Sequence, residues 1–221
     1  MTDPSSNTPP ASGPPSAAEI LRLANIIYFR SQVFDRTEWM GHRAAKCPMD
    51  MWIYQEMMHK LDTDLLIETG TLLGGSALFF AQMFDLMGRG KVISIDIDIK
   101  DGLPEHPRIE YIEGSSVATE VLDQVATASK AASSVMVLLD SDHTAPYKYE
   151  EMRLYSKFVT TGSYMIAEDT CFDAYPAFPE HGPGPAEAVH KFMQDNSDFE
   201  VDRSLERHMI SFVPGGFLRR L

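Results

Sequence analysis

Two short apolar runs in this chain each stop at carboxylate side chains, and a glycine-rich segment precedes both of them. The first run ends at Asp140, and the second ends at Glu168 and Asp169. The glycine-rich segment, residues 68–75, follows an earlier apolar run. If these runs are strands of one parallel sheet, their acidic ends meet at its carboxyl edge, beside any ligand that the glycine-rich segment holds. The pattern therefore predicts a metal-binding site at that edge.

From residue 65 onward, short apolar runs alternate with helical segments, which is typical of a parallel sheet covered on both faces. The predicted strands are 65–67, 92–97, 109–112, 135–139 and 164–167, and the runs 200–204 and 208–213 are predicted to close the sheet as an antiparallel pair. The predicted helices are 17–30, 49–61, 76–87, 120–129, 147–158 and 186–194, with a loop over 37–48. The chain is therefore predicted to be an α/β protein.

The length and composition favour one domain with a tail. A chain of 221 residues, 44% of them hydrophobic, can bury one sizeable core. Residues 1–16 are rich in Pro, Ser and Thr and have almost no large apolar side chains. Such a segment cannot bury enough surface to offset its ordering entropy. We expect a disordered tail over 1–16 and a single domain over 17–221, whose amino-terminal helices lie within 17–61.

The charge limits the partners of this chain. A net charge of −13 opposes binding to nucleic-acid backbones and to anionic membranes, which leaves a small molecule as the expected partner. Cys47 and Cys171 are the only cysteines and do not form a paired-thiol motif, which is typical of a reducing compartment. The sequence has no apolar run of membrane-spanning length and no signal-peptide pattern at its start. We expect a cytoplasmic protein that forms a homo-oligomer.

The glycine-rich segment lies between a predicted strand and a predicted helix. Gly70, Gly74 and Gly75 permit a tight turn and close approach of the backbone to a ligand. Their spacing matches the dinucleotide fingerprint poorly, so a plain strand-to-helix connection explains them equally well. However, the next strand ends at Asp96, 26 residues after Gly70, where an acid that binds a ribose is expected. The two features together favour a nucleoside cofactor.

NAD and S-adenosylmethionine are the two cofactors that this arrangement favours. Glu68 precedes the first glycine, where it would repel a pyrophosphate but would suit the cationic amino group of a methionine moiety. We therefore favour S-adenosylmethionine. Gly114, Ser115 and Ser116 follow the third strand and are expected near the adenine, although an ordinary loop explains the two serines equally well.

The acids at the strand ends offer oxygen ligands for a hard cation. Asp140, Glu168 and Asp169 would repel one another unless a divalent cation or protons neutralised them, and magnesium is the predicted ion. Single acids at strand ends are usually just solvated, but three on two adjacent strands favour a site. His143 follows Asp140 by three residues and could take the proton of a metal-bound hydroxyl group. A lone histidine is more often a surface or capping residue.

Ordered motifs cover nearly the whole chain after the tail, at residues 39–41, 46–56, 68–70, 139–143, 168–170, 181–185 and 214–218. Together they resemble the cephalosporin hydroxylase and rhamnosyl O-methyltransferase family. The resemblance implies a Rossmann-like class I methyltransferase fold, whose seven-stranded and mostly parallel sheet has one antiparallel strand and helices on both faces. It also implies S-adenosylmethionine and Mg²⁺, at a site similar to those of catechol and macrolide sugar O-methyltransferases.

The resemblance assigns roles to individual residues. Asp140, Glu168 and Asp169 match the metal ligands, and His143 stands where the related enzymes place a base. Asp96 matches the acid that binds the ribose. The residues predicted to bind the cofactor are Glu68, Gly70, Thr71, Gly74, Gly75, Asp96, Gly114, Ser115, Ser116 and Asp140.

The sequence thus predicts a magnesium-dependent O-methyltransferase that acts on a hydroxyl of a sugar, a glycosylated natural product or a catechol-like diol. Phe172, Tyr175 and His181 are candidates for acceptor contact, although such aromatic residues are more often part of a core. Two other functions stay open. One is a protein that binds S-adenosylmethionine as an accessory to an oxygenase, and the other is an NAD-dependent oxidoreductase.

Overall fold

The structure is a computed structural model that describes residues 14–175 and 182–221. Most of the predicted tail and His181 lie outside the described residues. The helices are α1 (Ala17–Arg30), α2 (Pro48–Lys60), α3 (Gly75–Met87), α4 (Thr119–Ser129), α5 (Ala145–Tyr155), α6 (Cys171–Ala174) and α7 (Pro185–Asp195), with 3-10 turns at Val33–Arg36, Ser156–Phe158 and Arg203–Glu206. Within the described ranges, no helix has the length and apolar character needed to cross a membrane.

The strands form a short hairpin and one large sheet. They are β1 (Glu38–Trp39), β2 (His42–Arg43), β3 (Leu65–Thr69), β4 (Lys91–Asp96), β5 (Ile109–Glu113), β6 (Val135–Leu139), β7 (Tyr164–Ala167), β8 (Phe199–Val201) and β9 (Phe217–Arg220). β1 and β2 pair within the segment that was predicted to be a loop. The large sheet has the order β5-β4-β3-β6-β7-β9-β8, and only β9 runs antiparallel to its neighbours. The predicted seven-stranded α/β architecture is confirmed.

The sheet is covered by helices on both faces because the side chains of each strand alternate between them. Leu66 and Leu138 pack with residues of α1, α2 and α3, whereas Ile67 and Val137 pack with residues of α4, α5 and α7. Every residue of β3, β6 and β7 is buried, which explains why β6, β7 and the first three residues of β3 are continuous apolar runs rather than alternating ones.

The predicted strand over 208–213 is wrong, since the antiparallel partner of β8 is β9. Side chains from distant helices take the backbone N–H groups that a strand would need. The N–H of Ser211 donates to Asn25 of α1 at 3.0 Å, and that of Phe212 donates to Asp50 of α2 at 2.7 Å. The apolar run therefore packs across the amino-terminal helices, and the chain forms its last strand only after Gly215 and Gly216.

Candidate active site at the carboxyl edge of the sheet

A cavity of about 520 Å³ lies at the carboxyl ends of the parallel strands. Parallel strands that diverge to different helices leave such a crevice at this edge. Its described lining residues are Phe34, Asp35, Ala45, Gly70, Leu72, Ile95, Asp96, Ile97, Gly114, Ser115, Ser116, Asp140, Ser141, Asp142, His143, Tyr147 and Asp169. The cavity thus joins the glycine-rich segment to the acids that follow β6 and β7.

Three side chains at the β6–β7 end of the cavity form a compact group, which we call the cavity group: Asp140, His143 and Asp169. Each can offer one ligand atom to a metal ion, and these atoms all lie within 4.8 Å of one another. Because β6 and β7 are parallel neighbours whose last paired residues are Leu139 and Ala167, the acids that follow the two strands leave the sheet at the same edge. The Nε2 atom of His143 lies 3.5 Å from Oδ2 of Asp169. The predicted convergence of these acids is therefore present in the structure.

Glu168 precedes Asp169 directly but turns the other way. Asp169 has a left-handed backbone with φ of 60°, and this conformation separates the two side chains. The side chain of Glu168 is only 2% exposed. It accepts a hydrogen bond from the Tyr54 hydroxyl at 2.5 Å, and the Nζ atom of Lys46 lies 3.5 Å from its Oε1. We call Lys46, Tyr54 and Glu168 the buried network.

Lys46 links the two groups, because its ammonium also donates to the Asp140 carboxylate. Its side chain is 4% exposed. Burial by itself lowers the pKa of Lys46, but the carboxylates of Asp140, Glu168 and Glu68 raise it above its ordinary value. Lys46 and Tyr54 were not among the site residues predicted from the sequence. Lys46 stands in a predicted loop, where lysines are usually solvated, so the sequence carries little signal for it.

The electrostatics of the site fit a divalent cation. Burial raises the pKa of the Glu168 and Asp169 carboxyls, and the charge of Asp140 raises both further, while Lys46 opposes this effect. Carboxylates that repel one another in a desolvated place gain most from a hard cation with oxygen ligands. Burial lowers the pKa of His143, which keeps the imidazole neutral near pH 7, and its Nδ1 atom has no hydrogen-bond partner among the described residues.

The structure places Glu68 beneath the glycine-rich segment rather than among the described cavity-lining residues. Its carboxylate is fully buried and accepts a hydrogen bond from the Ser94 hydroxyl at 2.8 Å. Its other oxygen, Oε1, has no hydrogen-bond partner within the described part of the chain. The hydroxyl of Thr71 also points inward, and its Oγ1 lies 2.7 Å from Oγ of Ser94. Burial raises the pKa of the Glu68 carboxyl.

Of the three glycines, Gly70 alone is among the described lining residues. It has φ of 88°, and a Cβ atom there would overlap the backbone of Asp140. Gly75 serves a different purpose, because a Cβ atom at this position would overlap the carbonyl of Arg43 in the β1–β2 hairpin. Gly74 likewise packs against Pro104. Close packing of protein segments thus explains all three glycines of this segment, and only Gly70 also lines the cavity.

The β4–β5 side of the cavity carries the remaining predicted cofactor residues. Asp96 ends β4, and its Oδ2 accepts a hydrogen bond from the N–H of Leu72 at 3.0 Å. The hydroxyls of Ser115 and Ser116 lie 3.0 and 3.1 Å from the hydroxyl of Tyr147, which also lines the cavity. Gly114 lies beside these serines in the cavity wall. This side therefore presents a row of small polar groups around an open space.

A buried carboxylate that the sequence analysis missed fixes this row from behind. Glu151 on α5 is fully buried, and its Oε1 accepts hydrogen bonds from the hydroxyls of Ser116 and Ser141, both at 2.6 Å. The Nζ atom of Lys148 lies 3.6 Å from its other oxygen and donates to the carbonyl of Leu139 at 2.9 Å. The hydrogen bonds to Glu151 thus hold the loops that follow β5 and β6 in a fixed arrangement.

The predicted acceptor residues lie outside the described lining of the cavity. The Phe172 ring stacks on His143 with centroids 5.2 Å apart, so it supports a lining residue from behind. Tyr175 packs against the hydrophobic core as a half-buried side chain. His181 lies outside the described residues, and its part in acceptor binding stays a prediction.

The sheet order, with its single antiparallel strand and the cavity at the carboxyl edge, defines a class I methyltransferase fold. Two solved structures of CmcI share this fold. An apo-structure has a TM-score of 0.66 and 22% identity and covers 85% of this chain and 77% of its own. A structure with Mg and SAM has a TM-score of 0.65 and 21% identity, and the match covers 100% of this chain and 88% of the CmcI chain.

The family model described as Rhamnosyl O-methyltransferase/CmcI matches residues 31–221, and the chain belongs to this family. A Rhamnosyl O-methyltransferase of Mycobacterium leprae (strain TN) is 36% identical over 199 residues, which is 87% of this chain and 87% of that protein. The resemblance that the sequence motifs indicated is therefore confirmed.

Proposed function

We propose that this protein is a magnesium-dependent O-methyltransferase that transfers a methyl group from S-adenosylmethionine to a hydroxyl of a small molecule. One observation carries this proposal. The cavity group of Asp140, His143 and Asp169 lies at one end of the cavity whose other end is lined by Gly70 and Asp96. A metal site and a nucleoside site that open into the same space suit a reaction between two bound molecules.

The cofactor would occupy the β3–β4–β5 side. Asp96 would accept hydrogen bonds from the ribose hydroxyls, and Ser115 and Ser116 would contact the adenine, since all three residues line the cavity. The buried carboxyl of Glu68 lies behind the glycine-rich segment, and its charge favours a cationic cofactor over one with a pyrophosphate at this place. The CmcI structure with Mg and SAM supports this choice of cofactor through its shared fold.

The metal would be held by Asp140, Asp169 and Glu168, as the family resemblance implies. Asp140 and Asp169 already face the cavity, and Lys46 ties Glu168 to Asp140. When bound, the magnesium ion supplies a Lewis acid that lowers the pKa of an acceptor hydroxyl. A divalent cation bound here would stabilise the ionised forms of Glu168 and Asp169, whose pKa is raised by burial.

His143 would remove the hydroxyl proton. Its pKa is lowered by burial, so the neutral form that can accept a proton dominates near pH 7. Asp169 lies 3.5 Å from Nε2 and would stabilise the imidazolium that forms. Stacking on Phe172 holds the ring in place. Much of the acceleration would come from holding the acceptor oxygen and the methyl carbon in line.

The preferred acceptor is a vicinal diol on a sugar ring, because two adjacent oxygens can bind one metal ion together. The Rhamnosyl O-methyltransferase of Mycobacterium leprae supports a sugar over a catechol-like ring.

The decisive experiment measures release of S-adenosylhomocysteine with p-nitrophenyl α-L-rhamnopyranoside and with catechol as acceptors. We expect release with magnesium and its loss in EDTA. Calorimetric titration with S-adenosylmethionine and with NADH identifies the cofactor independently. Binding of the sulfonium cofactor without product from either acceptor would favour an accessory role, and full activity in EDTA would contradict the metal site.

A further inference from the structure

The 3-10 turn Val33–Arg36 contributes two side chains to the cavity wall. Neither of them has a role in the methyl transfer proposed for the site. Phe34 and Asp35 both line the cavity, although they precede the sheet by some thirty residues of sequence. The turn follows α1 and begins after Gln32, whose left-handed backbone has φ of 53°. None of the site residues predicted from the sequence lies in this segment.

Phe34 is connected to His143 by a series of ring contacts. Its ring stacks on Phe29 with centroids 5.2 Å apart and meets Phe212 edge-on at 4.8 Å. Phe29 in turn meets Phe172 at 4.8 Å, and Phe172 stacks on His143. These rings form a continuous aromatic layer that runs from the proposed base to Phe34. The position of Phe34 is therefore fixed by packing, and one part of the ring stays available to the cavity.

Asp35 adds a polar group beside this ring. Its carboxylate forms an ion pair with Arg43 of β2, and its side chain is 50% exposed. Asp35 is thus held against the β1–β2 hairpin, and its half-exposed carboxylate can still accept hydrogen bonds from a ligand. Ligand sites commonly combine an apolar surface with a few fixed polar groups that set the orientation of the ligand.

The charge of the cavity narrows the class of ligand. Asp35, Asp96, Asp140, Asp142 and Asp169 contribute carboxylates, whereas the described lining contains no lysine or arginine. Although Arg43, Lys46 and a bound divalent cation would offset several of these charges, the described lining offers no cationic side chain that could bind a phosphate or carboxylate group of an acceptor. A ring that carries hydroxyls and no negative charge would meet the aromatic face of Phe34 with its C–H groups and Asp35 with a hydroxyl.

We infer that Phe34 and Asp35 form the subsite that orients the acceptor ring, and that this ring is an uncharged, hydroxyl-bearing one such as a glycosyl unit. The inference rests on the proposed methyl transfer and extends it to the residues that select the acceptor. It assigns recognition of the acceptor to the segment after α1, while the cofactor is held by the sheet.

The test uses p-nitrophenyl α-L-rhamnopyranoside as the probe. We expect Phe34→Ala to raise the acceptor KM about tenfold or more, and Asp35→Asn to raise it about threefold to tenfold. Both variants should keep the dissociation constant of S-adenosylmethionine within about twofold of wild type. Phe34→Tyr keeps the aromatic face and should restore the acceptor KM. Val33→Ala, on the same turn but outside the described lining, is the matched control.

A binding measurement without turnover makes the test independent of catalysis. Saturation-transfer NMR of the rhamnoside in the presence of S-adenosylhomocysteine should lose intensity in Phe34→Ala and keep it in Val33→Ala. Thermal unfolding of each variant shows whether a loss of NMR intensity comes from disrupted packing between Phe34 and Phe29. Phe34→Tyr and Asp35→Asn keep the test decisive if Phe34→Ala fails to fold.

The outcomes separate this inference from the proposed function. If the wild type transfers methyl groups but the Phe34 and Asp35 variants keep the acceptor KM, the subsite is wrong and the function stands. If the wild type binds S-adenosylhomocysteine but not the rhamnoside, the subsite is overturned as well. If the wild type does not bind the cofactor, the proposed function itself fails. A nucleotide-linked rhamnose that is methylated as well as the neutral rhamnoside would overturn the charge argument.

Discussion

Glu168 and Asp169 are neighbours in sequence and follow the same strand, yet they belong to two different environments. Asp169 faces the cavity beside Asp140 and His143, and its side chain is 17% exposed. Glu168 points into the protein, where Tyr54 and Lys46 contact it. The left-handed backbone of Asp169 separates them. The comparison shows that a carboxylate at a strand end takes its role from its partners and not from its position alone.

The two groups are nevertheless connected. Lys46 contacts Asp140 of the cavity group and Glu168 of the buried network. A change of charge in either group therefore reaches the other through one ammonium. We nevertheless expect different effects when residues of the two groups are substituted. A substitution in the cavity group should reduce catalysis. A substitution in the buried network should reduce stability and weaken metal binding.

The largest effect is expected for Asp140→Ala. This change removes a carboxylate from the cavity group, and the loss of metal-dependent activation should lower kcat by about a thousandfold or more. The affinity for S-adenosylmethionine should stay nearly intact. Steady-state release of S-adenosylhomocysteine and calorimetry measure the two quantities. Asp123→Ala, which removes an exposed carboxylate of α4, is the control. Turnover near the wild-type level would show that the cavity group is not a metal site.

His143→Ala should follow, with a decrease in the rate of the chemical step of about a hundredfold to ten-thousandfold. Magnesium binding should persist, because the carboxylates stay in place. Single-turnover kinetics with labelled cofactor measure the chemical step, and calorimetry measures the metal affinity. His59→Ala on α2 provides a histidine control. If the metal affinity falls as steeply as the rate, His143 acts as a metal ligand and the assignment of a base is wrong.

Tyr54→Phe tests the buried network. It deletes the hydroxyl that donates to Glu168 at 2.5 Å. Loss of a hydrogen bond to a charged group should lower the free energy of unfolding by about 1 to 3 kcal/mol. Magnesium affinity should fall as well, since Glu168 loses its fixed orientation. Chemical denaturation and calorimetry check the two effects. Tyr149→Phe, which deletes a surface hydrogen bond to Asp195 at 2.8 Å, should change neither.

The last prediction concerns the pH dependence of stability and Asp50, which neighbours the buried network. Burial, and next the charge of Glu168, raises the pKa of Asp50 from 3.8 to about 7. Between these two values the folded state holds a proton that the unfolded state releases, so the stability of the wild type should decrease as the pH rises from about 4 to about 7. Asp50→Asn should flatten this dependence while keeping an acceptor for the Phe212 N–H. Denaturation curves at about pH 5 and about pH 8 measure the difference. Parallel pH dependence in both proteins would contradict the raised pKa.

The sheet and the acids at its edge were predictable because they are local patterns. β6 and β7 are continuous apolar runs that end at carboxylates, and parallel pairing then brings the acids after both strands to the same edge of the sheet. Lys46 and Tyr54 give no such pattern, since their roles depend on contacts across 94 and 114 residues of sequence. Phe34 was missed for the same reason, as its position is set by packing between α1 and the carboxyl-terminal segment.

The wrong strand over 208–213 shows the limit of apolar content as a signal. This run is more apolar than 217–220, which ends in two arginines, yet only 217–220 forms a strand. Only the partners of the backbone distinguish them, and these partners lie 186 and 162 residues away, at Asn25 and Asp50. Short-range patterns contain no information about such partners.

Asn25 of α1 helps to position the turn that carries Glu168 and Asp169, although it lies far from that turn in sequence. It does so through its contact with the segment before β9. Asn25 accepts from the N–H of Ser211 and donates to the carbonyl of Met209. The next residue, Phe212, accepts a hydrogen bond from the N–H of Cys171, two residues after Asp169. Shortening the protein at its amino end into α1 would therefore remove a scaffold for catalysis, even though no atom of that helix is required to touch a reactant.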